Sequence, residues 1–145
     1  MIKNEKQYRI TKAQVRRFQD ALAELAAQQR PSNIAPRLWD AQRQAAQSQM
    51  EELRQQVETY ERLHTGKSKE VILEAVEDLP KALIRARIAA GMTQEGLARR
   101  LGVKPQQVQR YEATEYESAS FARILKVVQA LGLRMPKAAR LVRNG

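Results

Sequence analysis

Between Thr93 and Glu112 the chain carries a pattern that few arrangements of secondary structure can satisfy. Apolar residues fall at Leu97, Leu101, Val103, Val108 and Tyr111, and Ala98 is small enough to let two helices cross closely. Gly102 closes the first helix, because only glycine takes the left-handed conformation of that position at little cost. Pro105 opens the next helix at a site whose backbone N–H is not needed. Any one of these residues would suit two ordinary helices of a globular domain. The full spacing instead predicts a helix-turn-helix, the unit that lays its second helix in the major groove of DNA.

Charge points the same way. The 145 residues carry a formal charge of +10 and a pI near 10.3, which attracts polyanions. Charge alone does not separate DNA from RNA or anionic lipid. The chain has no cysteine, which rules out disulfides and thiolate metal sites, and this suits a reducing compartment. With a single histidine and no paired carboxylates in a pocket-like segment, neither a nucleophilic triad nor a metal centre assembles from recognisable parts. The reading is therefore a non-enzymatic protein without cofactor or metal. The start, Met1 to Lys6, lacks the apolar run of a secretory signal, and no stretch approaches the ~18 apolar residues of a membrane span. A cytoplasmic protein with no membrane partner is expected.

The periodicity predicts an all-α chain in two domains, residues 1–67 and 68–145. In the first, Thr11 with Gln14 forms a capping box, and Val15, Phe18, Leu22 and Leu25 mark an apolar stripe. That helix stops before Arg30 and Pro31. A second helix runs from Ala35-Pro36 to about Leu63, striped by Trp39, Ala46, Met50, Leu53, Val57, Tyr60 and His64 at near-heptad spacing. The two make an antiparallel hairpin whose stripes are too thin for an independent core. Phe18, Leu22, Leu53 and Val57 are thus expected to serve self-association or, alternatively, packing on the C-terminal domain. The Gly66-Lys67-Ser68 triplet mimics a phosphate loop, but position 61 is Glu where that loop needs glycine, and no strand precedes it. It reads as a linker, with Ser68 capping a helix that carries Val71, Ile72, Ala75 and Val76. In the second domain, a helix with Leu83, Ile84 and Ile88 inward ends at Gly91. Ser118 or Ser120 caps a last helix with Phe121, Ile124, Leu125, Val128 and Leu131 along one face. Leu133 to Met135 suits a short strand, and a basic tail follows.

From about Leu79 to Leu131 the chain resembles the Cro/C1-type helix-turn-helix family of phage repressors and bacterial regulators. The markers are Thr93-Gln94, Leu97-Ala98, Leu101-Gly102-Val103, Val108 and Tyr111-Glu112. Helices ahead of this domain, together with the run from Leu83 to Gln94, are similar to HigA-type antitoxins. The resemblance implies double-stranded DNA as partner and a transcriptional regulator, a repressor acting as a homodimer on a palindromic operator. It also implies an alternative, an antitoxin that binds a toxin protein and autoregulates its operon. The acidic residues Glu51, Glu52, Glu58 and Glu61 would then receive the basic partner.

Matched by position, the resemblance puts Gln94 against a backbone phosphate and Gln106 and Arg110 at base edges, with Lys104 and Gln107 beside them. Helical geometry agrees for the second pair. With Val108 and Tyr111 facing the core, Gln106 and Arg110 point away from Val108 and lie one turn apart. Glutamine pairs with adenine N6/N7 and arginine with guanine O6/N7. Three residues depart from the family pattern. Pro105 stands where many members carry a polar base reader, Lys104 replaces a Ser or Thr cap, and Gly96 interrupts the first helix of the motif. Two further basic groups, Lys3 to Arg17 and Arg134 to Arg143, suit either arms along DNA or solvated ends.

Overall fold

The computed structural model describes residues 1–66 and 70–135, and the chain divides into two compact units, Met1–Lys69 and Glu70–Gly145. Among the described residues the regular structure is all helical, with no strand.

The first unit is a hairpin of two long helices, α1 (Glu5–Ala27) and α2 (Pro36–His64). The start of α1 corrects the expectation at Thr11. Asn4 caps it, its side-chain oxygen accepting from the Gln7 N–H at 2.9 Å while the Gln7 carboxamide accepts from the Lys3 N–H at 2.8 Å. This local exchange satisfies orphan donors about three turns before the apolar stripe begins, so periodicity could not reveal it. Pro36 sits in the first turn of α2, where the lost N–H is harmless. The loop between the helices is tied by the Arg30 guanidinium, which donates to the Ile34 carbonyl. The helices run antiparallel. Tyr8 meets Glu61, Val15 lies beside Val57, and Leu22 lies beside Met50.

Burial in this unit concentrates at the open end of the hairpin, on Ile2, Val15, Val57 and Tyr60. There the Tyr8 and Tyr60 rings stack at 5.1 Å, the His64 ring stacks on Tyr60 at 5.7 Å, and the Lys12 ammonium lies 5.0 Å from the Tyr8 centroid. His64 is itself exposed. Toward the loop, Phe18, Leu22, Leu25, Trp39, Met50 and Leu53 remain only half-buried. Val57, by contrast, is occupied inside the hairpin at 8% exposure and is not free for self-association.

The second unit contains a single 3-10 turn (Val76–Asp78) and then α3 (Leu79–Ala89), α4 (Gln94–Leu101), α5 (Pro105–Ala113) and α6 (Phe121–Ala130). No helix forms over Val71 to Ala75, and Ser68 lies outside the described residues. Ile72 and Val76 are 75% and 79% exposed and Val71 is only half-buried, so the segment lacks a buried apolar face. A short helix without tertiary support does not offset its own nucleation cost. The core is built from Leu83 and Ile84 of α3, Leu97 and Ala98 of α4, Val108 of α5 and Val127 of α6, all essentially inaccessible. Arg100 of α4 donates to the Ala130 carbonyl at the end of α6, at 2.9 Å. Ser120 is the cap of α6. The buried line on α6 is centred on Val127, whereas Phe121 is 71% exposed and Leu125 47%. The helix offers two overlapping apolar arcs, and packing against α4 selects the one without Phe121 and Leu125. Leu133 does not enter a strand; its N–H closes the end of α6 by donating to Val128 O at 3.1 Å.

Candidate nucleic-acid interface

The turn between α4 and α5 forms as its residue types dictate. The Thr93 hydroxyl accepts from the Gly96 N–H at 2.9 Å and opens α4. A Cβ at position 96 would stand 3.2 Å from Met92 Cγ and 3.3 Å from Thr93 Oγ1. Glycine therefore lets the chain fold back tightly onto this cap, which accounts for a residue otherwise costly in a helix. Gly102 adopts φ +68° and ends α4, and the Val103 N–H reaches the Ala98 carbonyl at 3.0 Å. Lys104 precedes α5 without a side-chain cap, and Pro105 occupies the first turn.

Beneath α5 lies a buried polar network. Glu112 is fully buried, and its carboxylate takes Arg87 of α3 in a two-pronged ion pair, Nε to Oε1 at 2.5 Å and Nη2 to Oε2 at 2.8 Å. The third guanidinium nitrogen donates to the Met92 carbonyl at 2.7 Å, bracing the α3–α4 loop. Gln94 donates from Nε2 to Glu112 Oε2 at 2.7 Å. Thus α3, the start of α4 and the end of α5 are held by one carboxylate. A buried ion pair of this kind is stable only when its remaining hydrogen bonds are made, which here they are.

The loop after α5 is also constrained. Glu115 and Tyr116 have positive φ, 49° and 62°, and the Tyr116 N–H bonds the Tyr111 carbonyl at 2.6 Å. The Tyr116 ring stacks on Tyr111 at 5.9 Å, yet its buried hydroxyl meets no partner among the described residues. Burial pushes the ionisation of that hydroxyl well above the ordinary tyrosine range, helped by the nearby Glu112 charge.

With Val108, Tyr111 and Glu112 turned inward, α5 presents Gln106, Gln109 and Arg110 to solvent. Lys104 is exposed and Gln107 half-buried beside them. Gln106 and Arg110 lie on one outward face, as helical phase predicts. Gln109 joins that face and went unnamed by sequence reasoning, although its position next to Val108 on a short helix was the available sign. Gln94 is placed differently from the expectation. Only 8% exposed, it directs its carboxamide to Glu112, so its side chain braces α5 from within the domain instead of standing out to solvent.

Glu112 and Arg87 were the important residues sequence reasoning missed. Each sits in the apolar phase of its helix, Glu112 one turn after Val108 and Arg87 one turn after Leu83 and Ile84. Opposite charges on two core-facing stripes imply a pair, since neither would be buried alone.

A family model described as helix-turn-helix matches residues 83–137. No curated protein and no solved structure matches the chain.

Proposed function

We propose that the chain, whose residues 83–137 match a helix-turn-helix family model, is a transcriptional repressor that binds a palindromic operator as a homodimer. The observation that carries this reading is the outward face of α5. Gln106 and Arg110 are exposed one turn apart, on a helix whose opposite side is locked into the core by Val108 and Glu112. A rigid helix carrying two bidentate hydrogen-bonding side chains suits direct readout of an A·T and a G·C pair in the major groove. Lys104 and Gln107 at the start of the helix fit neighbouring phosphates, which set register.

The dimer reading is supported by two considerations. One recognition helix spans too few base pairs to be selective, and paired half-sites lie about 10 bp apart or a multiple of that. The hairpin also keeps Phe18, Leu22, Trp39 and Leu53 half-exposed, a surface that a second copy would bury. Part of the acidic face that an antitoxin would offer is engaged, Glu61 across the hairpin and Glu58 and Glu51 only by exposed partners within α2. Glu61 holds Lys12 and Tyr8, Glu58 holds Arg54, and Glu51 accepts from Gln55. Acting on DNA, the protein would reside in the cytoplasm.

The test is selection on randomised duplexes at one fixed salt concentration, for the native chain and for Arg110→Ala. The variant is expected to lose about 1–3 kcal/mol of specific binding and to relax its preference at one G·C pair per half-site. An unchanged preference would mean that α5 does not read bases, and a strictly monomeric protein on DNA would remove the dimer.

A further inference from the structure

We infer that the outer face of α1 is a second DNA-contacting surface, one that binds the phosphate backbone without reading bases; this rests on the reading of the second unit as DNA-binding. The face carries Lys6, Arg9, Arg16 and Arg17, all exposed. At 100° per residue these four fall within about a 100° arc opposite the stripe of Val15 and Leu22, and they span about 16 Å of helix. None of the four forms an ion pair with a described residue, although other cations of the hairpin do. Lys12, which points toward α2, is held by Glu61, and Arg54 by Glu58.

Stability does not account for this arrangement. A helix favours anions at its N-terminus and cations at its C-terminus. On α1 this order is only partly followed: Asn4 caps the start and Glu5 stands in the first turn. Lys6 and Arg9 stand near the start, Asp20 and Glu24 lie toward the end of the same face, and the last turn holds no basic residue. Exposed cations on a helix cost little in water, but a row of them with no ion-pair partner among the described residues gains most beside an external polyanion. Duplex DNA offers about one negative charge per 1.7 Å of its axis, a density that a row of four cations about 16 Å long can follow along one groove edge. An anionic membrane fits less well. Helices that bind membranes in the interface bury an apolar face in lipid, whereas the apolar face of α1 is packed on α2 and leaves Ile10 as the one large apolar side chain exposed on that helix. Two DNA-contacting parts on one chain also raise the affinity of each through effective concentration.

The experiment uses the full chain with Lys6, Arg9, Arg16 and Arg17 all changed to Gln, beside a charge-preserving variant with Arg9, Arg16 and Arg17 changed to Lys. Binding to a mixed-sequence duplex and to the selected operator is measured between about 50 and 200 mM salt. The glutamine variant is expected to melt no lower than the native chain and to keep its sequence preference. Its slope of log K against log salt should fall by about 2–4, at roughly 0.9 for each phosphate no longer neutralised. The lysine variant should keep the native slope. A native slope in the glutamine variant overturns the inference while leaving the operator reading intact. Loss of binding to phosphatidylserine vesicles with DNA binding unchanged overturns it in favour of a membrane. If the native chain binds no duplex at all, the operator reading itself fails, and this inference fails with it.

Discussion

Removing the Glu112 carboxylate is the perturbation whose size the structure defines best. In Glu112→Ala, Arg87 keeps its charge at 3% exposure and loses both of its ion-pair hydrogen bonds, at 2.5 and 2.8 Å. Breaking a buried pair from one side costs about 3–5 kcal/mol. Gln94 loses its acceptor as well, which adds about 1 kcal/mol. A unit of this size has roughly 3–10 kcal/mol of stability in total, so the loss removes about half of it or more. At about 4–8 °C per kcal/mol the second unit should melt roughly 15–50 °C lower. The two units need separate probes. Amide exchange at Leu83, Ile84 and Val108, deep in the core of the second unit, reports the affected one. Fluorescence of Trp39, the only tryptophan and located in α2, reports the hairpin and should not change. The combined variant Arg87→Leu, Glu112→Leu removes both charges and should lose less than Glu112→Ala alone, because no charge is left stranded. A loss under about 1 kcal/mol in the single variant, well below the cost of stranding a buried charge, would refute the argument. So would a combined loss equal to the sum of the two single ones.

Three further outcomes are expected. Tyr116→Phe removes a buried hydroxyl with no partner among the described residues and should leave the second unit unchanged or up to about 1 kcal/mol more stable by thermal melting; a clear loss would reveal a partner for that hydroxyl. At Gly102, φ is +68° and an added Cβ meets no atom within 4 Å, so Gly102→Ala should cost about 1–2 kcal/mol in denaturant unfolding, from conformation alone. Hydrogen bonds from Tyr8 and then Lys12 hold Glu61 below its ordinary carboxylate range. A depressed folded-state value means stabilisation present above the unfolded value near 4.5 and lost as pH falls through the folded one. Trp39 fluorescence should therefore show the hairpin weakening below that pH, and Tyr8→Phe, which removes the largest cause, should blunt this dependence.

The sequence by itself determined what depends on near neighbours. Thr93, Gly102 and Pro105 set the turn because a cap, a left-handed glycine and a missing N–H act within four residues of their own positions. The phase of Val108 likewise placed Gln106 and Arg110 outward, since one turn of helix links them whatever surrounds it. The hairpin followed from two stripes and a proline turn. Tertiary structure decided the rest. Which apolar arc of α6 is buried depended on α4, and Phe121 and Leu125 were excluded by packing rather than by character. The segment from Val71 to Ala75 has apolar residues at helical spacing but none of them becomes fully buried, and it stays non-helical. Gln94 was legible as the first residue of a helix, but its direction was set by a carboxylate 18 residues away. Glu112 and Arg87 stand 25 residues apart, and two charges are stable in a core only once the folded chain brings them together.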